Sequence, residues 1–350
     1  MNQPRHTLGQ ERMPLAGPYV GALAQIMGDW KFLKEAHVLP WHYGTRRCCH
    51  ECEAVKQGDG PYFGDFRADV AHRNTMTANE SYLAVFSVPP ALTAIPGWHL
   101  TMLTADPMHV LHLGVLQWAV ASLMLVLCSR DFWGTFAGNV VVRLNSQLRV
   151  AYVAFRDWCR ARNVSQSQPP FSAVIFNRRD DQWVFPELKT KAANTRWIAL
   201  WLDSVMQNTG DVTAEVSMMR GFAVMLELMH GCEKPYLSQL EADEFGRAGR
   251  VALLSYSHLA GQAYSNGLPL YQVKPKHHQL DHLITKVEST LMNPRFNWAF
   301  GDEDFNGRIT ALVRGKYSSK FVSRAMQKYQ LRMYLSVKDA VRRCGESLRG

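Results

Sequence analysis

Apolar residues recur at three- and four-residue spacing through most of the middle of the chain. That period places them on one face of a helix. It predicts helices over 107–129, 136–162, 188–208, 213–231 and 239–265, and further helices around 276–292, 302–314 and 319–341. The N-terminal third reads differently. YVGALAQIMGD (19–29) is a short apolar run that periodicity alone assigns neither to a buried strand nor to the start of a helix. WKFLKEAHVL (30–39) is helical, with Trp30, Leu33 and His37 on one side and Pro40 as the stop. Residues 40–105 are punctuated by Gly58, Gly60, Gly64, Pro89-Pro90 and Pro96-Gly97 and are expected to be irregular. Residues 1–17 read as a disordered tail. The pattern therefore predicts a mainly α chain with a small α/β part and a large helical insertion. Its segments run 18–105, 106–270 and 271–350, with no internal repeat.

LGVLQWAVASLMLVLC (113–128) is the longest apolar run, at 16 residues broken by Gln117. A bilayer span needs about 20, so this stretch is expected to be a buried core helix. The chain is basic, with 39 Lys and Arg against 30 Asp and Glu, a formal charge of +9 that suits a polyanionic partner. Seven cysteines, an odd number with four isolated in apolar or helical surroundings, do not make a secreted disulfide framework. The polar start MNQPRHTLGQERMP has no signal-peptide core. Together these point to a reducing compartment, cytosol or nucleus.

The chemistry starts at CCHEC (48–52), where Cys49 and Cys52 form a C-x2-C pair, half of a tetrahedral zinc shell. The complement lies more than 200 residues away in KPKHHQLDHL (274–283). His278 and His282, four apart, share one helix face and reach one ion; His277 and His282, five apart, fit less well. Cys48 competes with Cys49 as a ligand, and His37, His42 and His50 compete with the distant pair. Four protein ligands leave no open coordination position, so such a zinc would clip the two ends of the helical insertion together and do no chemistry itself.

Acids flank both halves. Asp29 lies 20 residues before Cys49 and Glu303 lies 21 after His282. Joined by the metal, the two could converge as carboxylates for Mg²⁺ in phosphoryl transfer. Each also suits a plain helix start. DPMHVLHLGV (106–115) adds Asp106, a good N-cap followed by Pro107, and His109 one turn on, in reach of Asp106 or a phosphate.

The order D, C-x2-C, D-x2-H, H-x3-H, E resembles the core of the CACTA (En/Spm-type) DDE transposases and the related recombinase that rearranges antigen-receptor genes. DPMHVLHLGV is similar to the family's D-x-M-H-x4-G-V segment, and KHHQLDHL to its K-x-H-x3-H-L segment. Trp298, Phe300, Glu303 and Gly307 in NPRFNWAFGDEDFNGRI match its W-x-F, final catalytic Glu and following Gly. The resemblance spans roughly residues 19–316. It implies a partial RNase H-like core carrying the helical insertion. It further implies catalytic Asp29 and Glu303 on Mg²⁺, structural Zn²⁺ on Cys49, Cys52, His278 and His282, and auxiliary Asp106 and His109. One feature departs from the family. It needs a further Asp upstream of Asp29, and residues 1–28 contain none. The expectation is therefore the C-terminal portion of a transposase catalytic core, inactive alone in strand cleavage and transfer.

The partners so implied are DNA and further copies of the chain, with no membrane and no small-molecule substrate, in the nucleus. Phosphate contacts would come from Arg178, Arg179, Lys189, Lys191, Arg314, Lys316, Lys320, Arg342 and Arg343. The alternatives are a non-catalytic, zinc-stabilised nucleic-acid-binding or protein-interaction module, and a helical protein without metal.

Overall fold

The computed structural model of the chain describes residues 25–178, 184–301 and position 327. The expected tail at 1–17, the helices expected over 302–314 and 319–341, Glu303, and the basic residues Arg179, Arg314, Lys316, Lys320, Arg342 and Arg343 lie outside them. The chain divides into two compact units, Met1–Trp298 and Ala299–Gly350. Every element named here belongs to the first, which is mainly helical.

Within the apolar run 19–29, Ile26–Gly28 is a strand, β1. Asp29 ends it and caps the next element: its Oδ1 accepts the Phe32 N–H at 2.6 Å, opening helix α1, Trp30–Ala36. Trp30 and Leu33 are buried on its inner face, and buried His37 closes it, as the spacing predicts. A short helix α2, Asn79–Leu83, then supplies Tyr82 to the same small apolar cluster. Strand β2, Leu103–Ala105, runs parallel to β1 with Ile26 opposite Leu103 and Gly28 opposite Ala105. It corrects the expectation that 40–105 is irregular throughout. Three residues are too few to show an alternating pattern, and β2 owes its strand form to its partner.

The 107–129 helix is two elements. Met108–Val115 is a wide, π-type segment, and α3, Leu116–Ser129, follows it. Leu113 (φ −96°, ψ 20°) and Gly114 (φ −135°, ψ −106°) break the helical path between them. A Cβ on Gly114 would lie 2.9 Å from the His109 carbonyl and 2.7 Å from Cδ of Lys276, which crosses this point and donates to the freed Leu113 carbonyl at 2.8 Å. The missing side chain thus makes room for the lysine stem. By length and composition Met108–Ser129 could cross a membrane, but 83% of that stretch is buried inside the fold. It is a core helix.

Around it pack α4, Val140–Ala161, α5, Ala192–Gln207, α6, Ala214–Gly231, α7, Gln239–Ser265, and α8, Pro275–Thr290. Asn139, Thr213 and Ser238 cap α4, α6 and α7 through side-chain oxygens. At Gly221 the backbone of α7 comes close: an added Cβ would meet the Ala248 carbonyl at 2.6 Å. Phe155, Trp201, Phe222, Phe245 and Tyr256 fill the shared core. The packing sets α8 against both α7 and the Met108–Val115 segment.

Candidate metal centre

The cysteines stand on a tight hairpin. Cys48 N–H donates to the Ala54 carbonyl at 3.0 Å and Lys56 N–H to Arg46 at 3.0 Å, closing residues 46–56 into a knuckle. The Arg47 guanidinium lies over the Trp41 ring at 3.6 Å, and its Nε donates to the Cys52 carbonyl at 3.0 Å. Cys52 also bridges to Met76, which brings residues 72–77 alongside. Inside the turn, Glu51 N–H points at Cys49 Sγ (3.3 Å) and Ala54 N–H at Cys52 Sγ (3.4 Å). Such main-chain donors stabilise thiolate charge.

The two imidazoles arrive on α8, and all four side chains are buried with their ligand atoms within 4.8 Å of one another. Cys52 Sγ is 3.1 Å from His278 Nε2 and 3.3 Å from His282 Nε2, and the two Nε2 atoms are 3.0 Å apart. Zinc bonds of about 2.3 Å to sulfur and 2.0–2.1 Å to nitrogen set tetrahedral edges of about 3.3–3.8 Å. Opening the observed group by a few tenths of an ångström therefore admits the ion. Burial, then the neighbouring His282 and His72, hold His278 well below its ordinary pKa, so it presents a neutral ring with a free lone pair. Burial, then the Cys52 thiol, push Cys49 well above the usual thiol range, so an ion must displace its proton. Two sulfurs and two nitrogens in a closed, dry group match structural zinc.

The competing ligands fall away. The Cys48 thiol, pushed up to about 12 mainly by burial, donates instead to the Ala54 carbonyl at 3.7 Å. His277 turns from the group, stacks on Trp118 at 5.6 Å and accepts the Lys274 N–H at 3.1 Å. His37, His42 and His50 are not in the group. Behind the ligands stands a layer the spacing does not reveal. Asp281 accepts from Arg73 at 2.6 Å and pairs with His72 Nε2 at 2.9 Å, and the His72 ring meets the His278 ring edge-on at 4.5 Å. Asp281 could have been noticed as the carboxylate between the two ligands; nothing around His72 marks it.

The acids divide. Asp29 and Asp106 follow directly from paired residues at the C-terminal ends of β1 and β2, and Asp106 N–H donates to the Gly28 carbonyl at 3.3 Å. Parallel strands lie about 4.8 Å apart, so the backbones of these two acids leave the sheet as neighbours. Asp106 is buried and accepts the Met108 N–H at 3.0 Å, the His109 N–H at 3.4 Å and His109 Nδ1. The Lys276 ammonium is within electrostatic reach of both acids, though burial above all keeps its pKa below the ordinary value. Of the basic residues, Lys189 and Lys191 are exposed, while Arg178 is half-buried and donates to the Val184 carbonyl at 3.4 Å.

Comparison with protein-family models, with curated proteins and with solved structures finds no match to this chain.

Proposed function

We propose that this chain is a zinc-clipped portion of a DDE-type transposase core, binding DNA and acting on it with Mg²⁺ when its full set of carboxylates is assembled. The observation that carries the reading is the placement of Asp29 and Asp106 directly after the paired strand residues Gly28 and Ala105, with a Cys2His2 group whose first cysteine lies 20 residues after Asp29 and whose histidines lie on α8. A parallel pair joined by a crossover that contains a helix is compatible with two neighbouring strands of an RNase H-like sheet. Asp29 and Asp106 would hold Mg²⁺, which prefers carboxylate oxygen and, when bound, stabilises the attacking and leaving oxygens of phosphoryl transfer; the resemblance gives Glu303 the part of the last catalytic acid. The protein's own part is positional. The Asp106 contact fixes the ring of His109, and Lys276 adds positive charge beside the acids.

The test is strand cleavage and transfer by zinc-loaded protein with Mn²⁺ and DNA, comparing Asp29→Asn and Glu303→Gln with the parent chain. Activity lost in both supports the reading. No activity from the parent chain, even with an upstream Asp-bearing segment supplied, rejects it.

One observation favours a second reading, a non-catalytic zinc-stabilised module. Asp29 and Asp106 are both already engaged as helix caps. DNA binding without any divalent-ion dependence would favour it.

A further inference from the structure

Away from the cysteines, α5, the end of α6 and the turn before Trp298 bring together two arginines and a histidine. Arg196 Nη1 lies 2.5 Å from His230 Nδ1 and 3.1 Å from its Nε2. Arg295 Nη1 donates to the His230 carbonyl at 3.1 Å. Trp197 lies under the Arg196 guanidinium at 3.9 Å, and Trp298 lies 4.9 Å from the His230 ring and 5.9 Å from Arg295. The arrangement holds both guanidiniums in place before any ligand arrives.

What it lacks, among the described residues, is negative charge. Several arginines elsewhere in the fold meet carboxylates: Arg73 with Asp281 at 2.6 Å, Arg130 with Glu215 at 3.0 Å and Arg220 with Asp203 at 3.1 Å. Among the described residues no carboxylate lies within ion-pair distance of Arg196 or Arg295. Arg196 Nε is buried with no hydrogen-bond partner. Burial, then the repulsion of Arg295, push the Arg196 pKa down to about 10, and burial, then Arg196, hold His230 near 3. A partly buried guanidinium beside a second one, with no counterion among the described residues, is costly unless an anion completes the pair. A planar guanidinium fork with spare N–H donors matches the oxygens of phosphate.

We infer that Arg196, Arg295 and His230 form an oxyanion site that takes a phosphate group. The exposed Lys189 and Lys191 lie just ahead of α5, the helix that carries Arg196. The inference goes beyond strand transfer and stands without it, since the site needs neither the acids nor zinc. A phosphate could reach it as free phosphate or as the phosphodiester of a nucleic acid.

The experiment uses the full zinc-loaded chain with ¹³C-labelled histidine in chloride buffer, the His230 resonance being assigned with His230→Gln. Inorganic phosphate is titrated in one arm, a short oligodeoxynucleotide without terminal phosphates in another, and potassium chloride at matched ionic strength in a third. Saturable movement of the His230 signal with phosphate or oligonucleotide, but not chloride, supports the site; movement by the oligonucleotide assigns it to a nucleic-acid backbone, and movement by inorganic phosphate alone assigns it to free phosphate. Arg196→Gln and Arg295→Gln should each weaken the response about tenfold, the loss of one charge-assisted contact. Should Arg196→Gln fail to fold, Arg196→Lys, which keeps the charge without the fork, is expected to weaken it several-fold. A His230 signal unmoved by both phosphates, moved equally by chloride, or titrating as in the parent in both Arg295→Gln and Arg196→Lys, overturns the inference.

Discussion

Cys52 Sγ and His278 Nε2 lie 3.1 Å apart although 226 residues of chain separate them. Closing a loop of that length costs configurational entropy that grows only with the logarithm of its length. One ion bound by four ligands is ample to offset it, and the helical body between them already returns α8 to the knuckle through its packing on α7 and on the Met108–Val115 segment.

The first prediction concerns the metal. Purified protein should carry one zinc per chain by elemental analysis, and Cys52→Ser should carry none. Apparent zinc binding energies in small zinc modules are about 10–16 kcal/mol. Losing even a third of that should lower Tm by about 10 °C or more in a domain of this size, measured by calorimetry with and without chelator. A zinc-free protein with unchanged Tm contradicts the clip.

Asp281 should matter although it is not a ligand. Removing the carboxylate that holds His72 and Arg73 frees the ring packed against His278. Supporting partners of this kind are worth about 10–100-fold in metal affinity. Asp281→Ala should therefore speed zinc transfer to a chromophoric chelator by that factor while leaving the four ligands in place.

Asp29 can be dissected by choice of substitution. Asparagine caps a helix about as well as aspartate, whereas alanine costs about 1 kcal/mol. With an upstream Asp-bearing segment supplied, Asp29→Asn should keep Tm and lose Mn²⁺-dependent activity on DNA; Asp29→Ala should lose both. Equal activity in the parent and the Asn variant would leave the carboxylate with capping as its only role.

Gly114→Ala tests the crossing of Lys276. The new methyl meets both a lysine carbon and the His109 carbonyl, and backbone cannot retreat as a side chain can. Overpacking of this kind costs about 1–3 kcal/mol, to be read from chemical denaturation. Lys276→Ala in the same chain should restore only part, because the carbonyl clash remains.

Acid should destabilise the fold through His230. Its folded pKa, about 3, lies below the ordinary value of 6.5. As pH falls below 6.5 the unfolded chain takes a proton that the folded chain refuses, so stability is full above 6.5 and declines from there toward pH 3. One such group contributes a slope of at most about 1.4 kcal/mol per pH unit. In chloride buffer, His230→Gln should flatten the dependence of unfolding free energy on pH by up to that amount; an unchanged slope would mean the ring is not held neutral.

Much was legible in the sequence by itself. Helical periodicity located α4 to α8 because their apolar stripes are long enough to show a 3.6-residue repeat. The four metal ligands were readable because thiol and imidazole pairs at two- and four-residue spacing carry their own geometry, on a hairpin turn and on a helix face. The candidate acids Asp29 and Asp106 were recognisable as residue types, not as neighbours. Tertiary structure alone decided that Cys49 and not Cys48 faces the group, that β2 pairs with β1 and puts the two aspartates directly after paired residues, that Leu113 and Gly114 break the long apolar helix, and that Arg196 and Arg295 both contact His230 with no carboxylate in ion-pair distance among the described residues. The physical reason is common to all four. Each depends on contacts between segments distant in the chain, and a local pattern records which face a residue occupies on its own element, never what that face will meet.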